Sequence, residues 1–322
     1  MIRVIKPEGF GNIQLEDVPV PEIGPREVLV RTKATLISRG SELFARYNKQ
    51  EAVSPSIMGY SLTGVVERVG PDVTSHKPGD RVMVVAPHAQ YAVGGEDAPS
   101  AVRQVARLTD DVSFEEGTFL PLVISTVLWC DSSGVRAGDT VVVMGQGLVG
   151  SLMLQALRDY QPGRLIAVDA LPLRCEFAKK LGADEVINAA AEDPVAAVRR
   201  LTANKGADVV IECVGGNAGV KSFEQALEMV RQRGTLQLIS LYQGAPLPLN
   251  SSRIMNKRLL AGILVEEPRE KTTQRALEKI RTGRVKARDM ITHRFPYAQA
   301  KHAFDLLWNA PGETLGVVLV WE

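Results

Sequence analysis

Disulfide scaffolding is the first thing this sequence lacks. Its three cysteines, Cys130, Cys175 and Cys213, are scattered and include no CxxC pair. Neither a cystine framework nor a thiolate zinc site is suggested, and the thiols read as buried or idle. An excess of charge of one sign is also missing. The 38 Lys and Arg against 37 Asp and Glu leave a formal net charge of +1 with no basic run, which gives no electrostatic footprint for nucleic acid or an anionic membrane. No apolar run reaches the length of a membrane span, and Met1-Ile2-Arg3-Val4-Ile5-Lys6 alternates like a strand instead of carrying the apolar core of a signal peptide. Repeats and low-complexity segments are absent. The expectation is a globular, cytoplasmic protein, and 322 residues suffice for two domains.

What the chain does have is a β-branched run, Thr140-Val141-Val142-Val143-Met144, that stops at Gly145-Gln146-Gly147-Leu148-Val149-Gly150 and continues into helix formers from Ser151 to Arg158. In a strand-turn-helix of this kind the three glycines have separate tasks. Gly145 allows the tight bend, Gly147 lets backbone approach a pyrophosphate, and Gly150 lets helix and strand pack closely. Backbone N–H groups and the positive end of the helix dipole then face the phosphates. A second strand, Leu165 to Val168, ends in Asp169, which lies 169 − 150 = 19 residues beyond the last glycine. That is where a carboxylate accepts hydrogen bonds from the adenosine ribose and repels a 2′-phosphate, so NAD is the expected cofactor. The alternative for Asp169 is a cap for the helix that follows.

Around this stretch the periodicity changes once. Up to about residue 120, short strands broken by Pro and Gly argue a compact β-rich domain with little helix. From 121 to 265, strands alternate with helical segments, and six of them predict an α/β, doubly wound parallel Rossmann sheet whose nearly continuous apolar strands are buried on both faces. From 266 to 322 a helix, a strand, a helix and a last strand are expected to return to the first domain.

Several segments resemble the medium-chain dehydrogenase/reductase superfamily of zinc alcohol, sorbitol and threonine dehydrogenases and quinone oxidoreductases. They are Pro78-Gly79-Asp80-Arg81-Val82, Ala89-Gln90-Tyr91-Ala92, Gly145 to Gly150, Ala178 to Asp184, Asp208 to Gly215 and Ile291-Thr292-His293-Arg294-Phe295. The resemblance covers nearly the whole chain. It implies a GroES-like catalytic domain before the Rossmann domain, a homodimer paired through the strand around Leu260 to Leu264, and a cofactor site that includes Arg174, Cys213, Val214 and Ser240.

The departures concern metal. Where zinc members have a ligand cysteine, a histidine and a glutamate, this chain has Arg39, Tyr60 and Leu120, and Pro87 to Tyr91 passes without the four-cysteine lobe. A catalytic zinc takes three protein donors from Cys, His, Asp and Glu. The chain therefore looks like a zinc-free branch, similar in Ile37-Ser38-Arg39-Gly40-Ser41-Glu42 to the group containing bacteriochlorophyllide hydroxyethyl dehydrogenases. By matching, Arg39, Ser41, Glu42, Tyr60 and Ser61 surround the former metal position. Tyr60 is either the acid that protonates a developing alkoxide, with Arg39 lowering its pKa, or a filler of the histidine's volume. Ser41 matches a proton-relay hydroxyl or else serves a turn, and Glu42 matches a carboxylate behind the metal that either pairs with Arg39 or takes part in the chemistry. The family's relay histidine falls on Phe44. His88, alone in a loop, either compensates for that loss or reads as a surface residue, and His293 and His302 read as scaffold. The resulting expectation is a zinc-independent oxidoreductase moving a hydride between NAD(H) and a small alcohol or carbonyl substrate. The alternatives are an NADPH-dependent quinone or enoyl reductase and a non-catalytic dinucleotide sensor.

Overall fold

The computed structural model describes residues 1–96, 103–241 and 245–321. Two compact units account for it, one formed by Met1–Pro121 with Ala276–Glu322, the other by Leu122–Arg275.

In the first unit β1 (Ile2–Ile5) pairs antiparallel with β2 (Gln14–Asp17). The main sheet contains β3 (Glu27–Ile37), β4 (Leu62–Val69), β5 (Arg81–Val84), β6 (Tyr91–Gly95) and β7 (Val105–Arg107). The second unit holds β8 (Thr140–Met144), β9 (Arg164–Asp169), β10 (Glu185–Asn188), β11 (Ala207–Glu212), β12 (Val230–Leu238) and β13 (Arg258–Ala261). The tail adds β14 (Ile291–Pro296) and β15 (Gly316–Val320) to the first sheet, in the order β14-β15-β3-β4-β5-β7, with β6 on β3.

The parallel sheet runs β10-β9-β8-β11-β12-β13. This is the doubly wound arrangement, in which the order reverses next to the first strand and the carboxyl ends of β8 and β11 bound a crevice. Val141, Val142 and Val143 are fully buried, and each contributes roughly 1.5–3 kcal/mol relative to exposure. That is why a β-branched run of this kind can be covered on both faces.

Two differences from the sequence reading matter for the site. The N-terminal unit is not purely strand and turn, because Arg39–Tyr47 forms a π-helical segment directly after β3. The chain also stays with the dinucleotide unit as far as Arg275 instead of leaving at 266. Arg275 holds it there by pairing with Asp131 and Glu267, each at 2.8 Å, and long-range ion pairs of this kind leave no periodic trace in a sequence. At the far edge of the sheet β13 ends at Ala261, and Ile263 and Leu264 beyond it are 45% and 60% exposed. The strand expected at 260–264 is thus displaced toward the N-terminus, because Gly262 takes a positive φ of 76° and ends it.

Candidate functional site

The dinucleotide loop is built from backbone. Gly145 adopts φ 83° and donates its N–H to the Val168 carbonyl at 2.8 Å. A Cβ on Gly150 would stand 1.7 Å from the Gly145 carbonyl oxygen, so only glycine lets the helix Leu148–Ala156 come this close. Gly147 is the N-cap of that helix, and a Cβ there meets nothing nearer than Arg174 Nη1 at 3.9 Å. The crowding at Gly150 is internal to the fold, whereas the space at Gly147 is open.

Asp169, at the end of β9, is buried. Its Oδ2 accepts the Gln146 N–H at 2.6 Å and its Oδ1 the Leu171 N–H at 2.9 Å. The ribose-carboxylate and local-cap readings thus meet in one residue, which ties the glycine loop to the start of the next helix. Arg174 lies with Nη1 3.8 Å from Asp169 Oδ2, while its Nε is shut off from solvent and has no hydrogen-bond partner among the described residues. A guanidinium donor left in that state beside the loop fits an anionic group. Across the crevice, the Cys213 N–H reaches the Met144 carbonyl at 2.8 Å, and burial pushes the Cys213 thiol well up.

The motif reading does not reach Glu212, which organises this side. It is fully buried, accepting from Val214 N at 2.8 Å, Ser222 Oγ at 2.9 Å and Ser240 Oγ at 2.6 Å. Burial raises its pKa, and the three donors partly offset the shift. Val214 and Ser240 are therefore brought together by one carboxylate from β11. The remaining loop members, Gln146, Leu148 and Val149, follow the turn, with the Gln146 amide donating to the Val143 carbonyl at 2.8 Å.

The second cluster lies within the first unit. Tyr60 is half-buried, and Ser38, Ser41, Glu42 and Arg46 are among the groups that act on its hydroxyl. Burial pushes its pKa up to about 12, the charge of Glu42 adds to the shift, and the serines and Arg46 oppose it. Glu42 is fully buried, taking the Ser38 N–H at 2.9 Å on Oε1 and His88 Nε2 at 2.7 Å on Oε2. His88 is likewise fully buried; its N–H donates to Met58 O at 2.7 Å and its carbonyl accepts from Val4 N at 2.9 Å. Gly59, at φ 107°, leaves room for it, since a Cβ would stand 2.8 Å from the His88 nitrogen.

Residues 24–107 match the family described as alcohol dehydrogenase GroES-like domain, and residues 149–282 the family described as zinc-binding dehydrogenase. The chain belongs to the medium-chain dehydrogenase/reductase superfamily. It is 27% identical to a sorbitol dehydrogenase of Bacillus subtilis, over 96% of this chain and 94% of that protein. It is 26% identical to an alcohol dehydrogenase of Cupriavidus necator, over 96% of both. Among solved structures, an alcohol dehydrogenase from Thermus sp. ATN1 superposes with a TM-score of 0.80 at 26% identity, covering 100% of both chains. The protein is accordingly an oxidoreductase of an NAD(P)-dependent family, with a GroES-like domain and a parallel-sheet dinucleotide domain.

In this dehydrogenase the structure revises four parts of the sequence reading. Arg39 is engaged on its own side: its Nη1 donates to the Leu307 carbonyl near the end of the helix Ala300–Asn309, and its guanidinium lies 5.6 Å over Phe44. The Tyr60 pKa rises instead of falling, because burial outweighs the nearby cation. Ser61 turns away to donate to the Thr118 carbonyl at 2.6 Å and is buried. His88 lies in the interior instead of at the surface, locked by contacts 46 residues away in sequence.

Proposed function

We propose that this dehydrogenase works without zinc, transferring a hydride between NAD(H) and an alcohol or carbonyl, with Tyr60 as the neutral hydrogen-bond donor to the substrate oxygen. The observation that carries the reading is Tyr60 itself. It stands where the resemblance puts a ligand histidine, and burial pushes its pKa up to about 12, which favours the neutral phenol.

The donor chemistry does not fit a catalytic zinc. Arg39 is engaged with a main-chain carbonyl, Leu120 is apolar and fully buried, and among the described residues no three His, Cys, Asp or Glu converge. The loop does fit a dinucleotide, with open space at Gly147 and the orphaned Arg174 Nε beside it. Gly145 to Gly150 and Arg174 would hold the pyrophosphate side, Asp169 the ribose, and Cys213, Val214 and Ser240 the wall opposite. The bound nicotinamide supplies the hydride chemistry.

Reduction of an aldehyde panel by NADH is expected to persist after exhaustive dialysis against a chelator. One zinc per chain by elemental analysis, with activity lost on its removal, would overturn the reading. Cofactor preference is a separate expectation. Asp169 would face the extra negative charge of a 2′-phosphate, so NADH should bind at least about ten-fold more tightly than NADPH, or ~1.4 kcal/mol. Asp169→Ser should erase most of that ratio, since Arg174 at 3.8 Å is then free to meet a phosphate. Equal wild-type affinity for the two cofactors, read by fluorescence titration, would refute this.

A further inference from the structure

The strand order of the parallel sheet separates the two halves of a dinucleotide. β9, with Asp169 at its end, lies on one side of β8, and β11 followed by β12 lies on the other. A dinucleotide with its adenosine ribose on Asp169 and its pyrophosphate on Gly145 to Gly150 therefore carries its nicotinamide half over the ends of β11 and β12. The chain leaves those strands through Cys213-Val214 and Ile239-Ser240.

Glu212, the last residue of β11, grips both exits. Its Oε1 accepts the Val214 N–H at 2.8 Å and the Ser222 hydroxyl of the helix Gly219–Met229 at 2.9 Å. Its Oε2 accepts the Ser240 hydroxyl at 2.6 Å, and its carbonyl the Ile239 N–H at 2.9 Å. Val214 in turn lies against the glycine loop, since a Cβ on Gly145 would stand 2.8 Å from Val214 Cγ2. The residues before it, Val209, Val210 and Ile211, are apolar and buried, and Glu212 is fully buried among them. Taking a carboxylate wholly out of water is costly unless donors surround it, and an apolar side chain would finish the strand without that cost. What the carboxylate adds is a fixed path for Val214 and a fixed direction for the Ser240 hydroxyl, the kind of support that holds a binding surface in shape.

We propose that Glu212 is a positioning residue for the nicotinamide half of the cofactor, acting through Val214 and Ser240 and contributing nothing to the adenosine half. This rests on the dinucleotide reading of the glycine loop. The adenosine half has its own supports in Asp169 and the turn after β8, so the two halves depend on different side chains.

The test is titration of the full chain with two probes, NADH and AMP, beside thermal unfolding. Glu212→Met keeps an unbranched side chain and removes all three acceptor contacts. It is expected to weaken NADH binding about ten-fold or more, the loss that follows when buried donors lose their acceptor, while AMP binds as before. Glu212→Gln should recover most of the NADH affinity, because its amide oxygen can accept from Val214 and Ser222 while its N–H2 donates to Ser240. Ser240→Ala removes one contact and should give a smaller loss of the same selective kind, and it decides the matter if Glu212→Met does not fold. The proposal is overturned if NADH and AMP weaken together, if neither changes, or if Glu212→Gln loses as much NADH affinity as Glu212→Met. Wild-type protein that binds neither probe would overturn the dinucleotide reading and this proposal with it, whereas every other failure falls on Glu212 alone.

Discussion

Replacing Gly147 by valine is expected to weaken dinucleotide binding at least about a hundred-fold, or ~2.8 kcal/mol at ~1.4 kcal/mol per factor of ten, while lowering the unfolding temperature only by the loss of a glycine N-cap. The residue sits at φ −71°, a conformation open to any side chain, and an added Cβ meets only the end of Arg174 at 3.9 Å. The protein alone therefore has room for a side chain to begin there. The pyrophosphate does not, because the branched side chain fills the space that the backbone N–H groups at the helix N-terminus face. Gly150→Ala is the contrasting case. Its methyl would lie 1.7 Å from the Gly145 oxygen and 2.9 Å from the Gly145 carbonyl carbon, so strand and helix must separate and the melt should fall. NADH titration beside thermal unfolding checks both variants. A Gly147→Val protein that binds NADH normally would show that the loop does not hold the pyrophosphate.

Tyr60→Phe is expected to slow the hydride-transfer step by roughly 10²- to 10⁴-fold, the usual range for a positioned proton donor, with NADH affinity nearly unchanged. Burial pushes the Tyr60 pKa up to about 12. The sign follows from the cause: burial disfavours the phenolate, so the proton is retained to higher pH than in free tyrosine and the donor is lost only as pH rises through about 12. Between about pH 5 and pH 10 the rate of carbonyl reduction should therefore show no limb assignable to Tyr60. Arg39→Met should leave the chemical step alone and lower stability instead, since the Leu307 carbonyl loses its donor. Single-turnover reduction across pH separates the two residues. A Tyr60→Phe rate close to wild type would move the donor role to Ser41 and leave Tyr60 as packing.

The pairing of Glu42 with His88 ties this corner together. Both side chains are fully buried at 2.7 Å, and the histidine backbone joins β1 to Met58, two residues before Tyr60. Removing either partner would strand a polar group in the interior, which is strongly destabilising. Their sequence separation of 46 residues also marks the limit of local reading.

The sequence by itself determined the dinucleotide loop, the parallel sheet and the absence of zinc donors at 39, 60 and 120. Strand, turn and helix from Thr140 to Ala156 are contiguous, and the forces that shape them act between near neighbours. Alternation of strand and helix likewise announces burial on both faces of the sheet before any contact is known. Only the tertiary structure decided which arginine attends Tyr60, in which direction its pKa moves, that His88 is interior, and that Glu212 gathers Val214, Ser222 and Ser240. Those outcomes depend on desolvation and on through-space charge among residues distant in the chain. Composition and spacing carry neither, because the partner that Arg39 takes, the Leu307 carbonyl, lies 268 residues away in the chain.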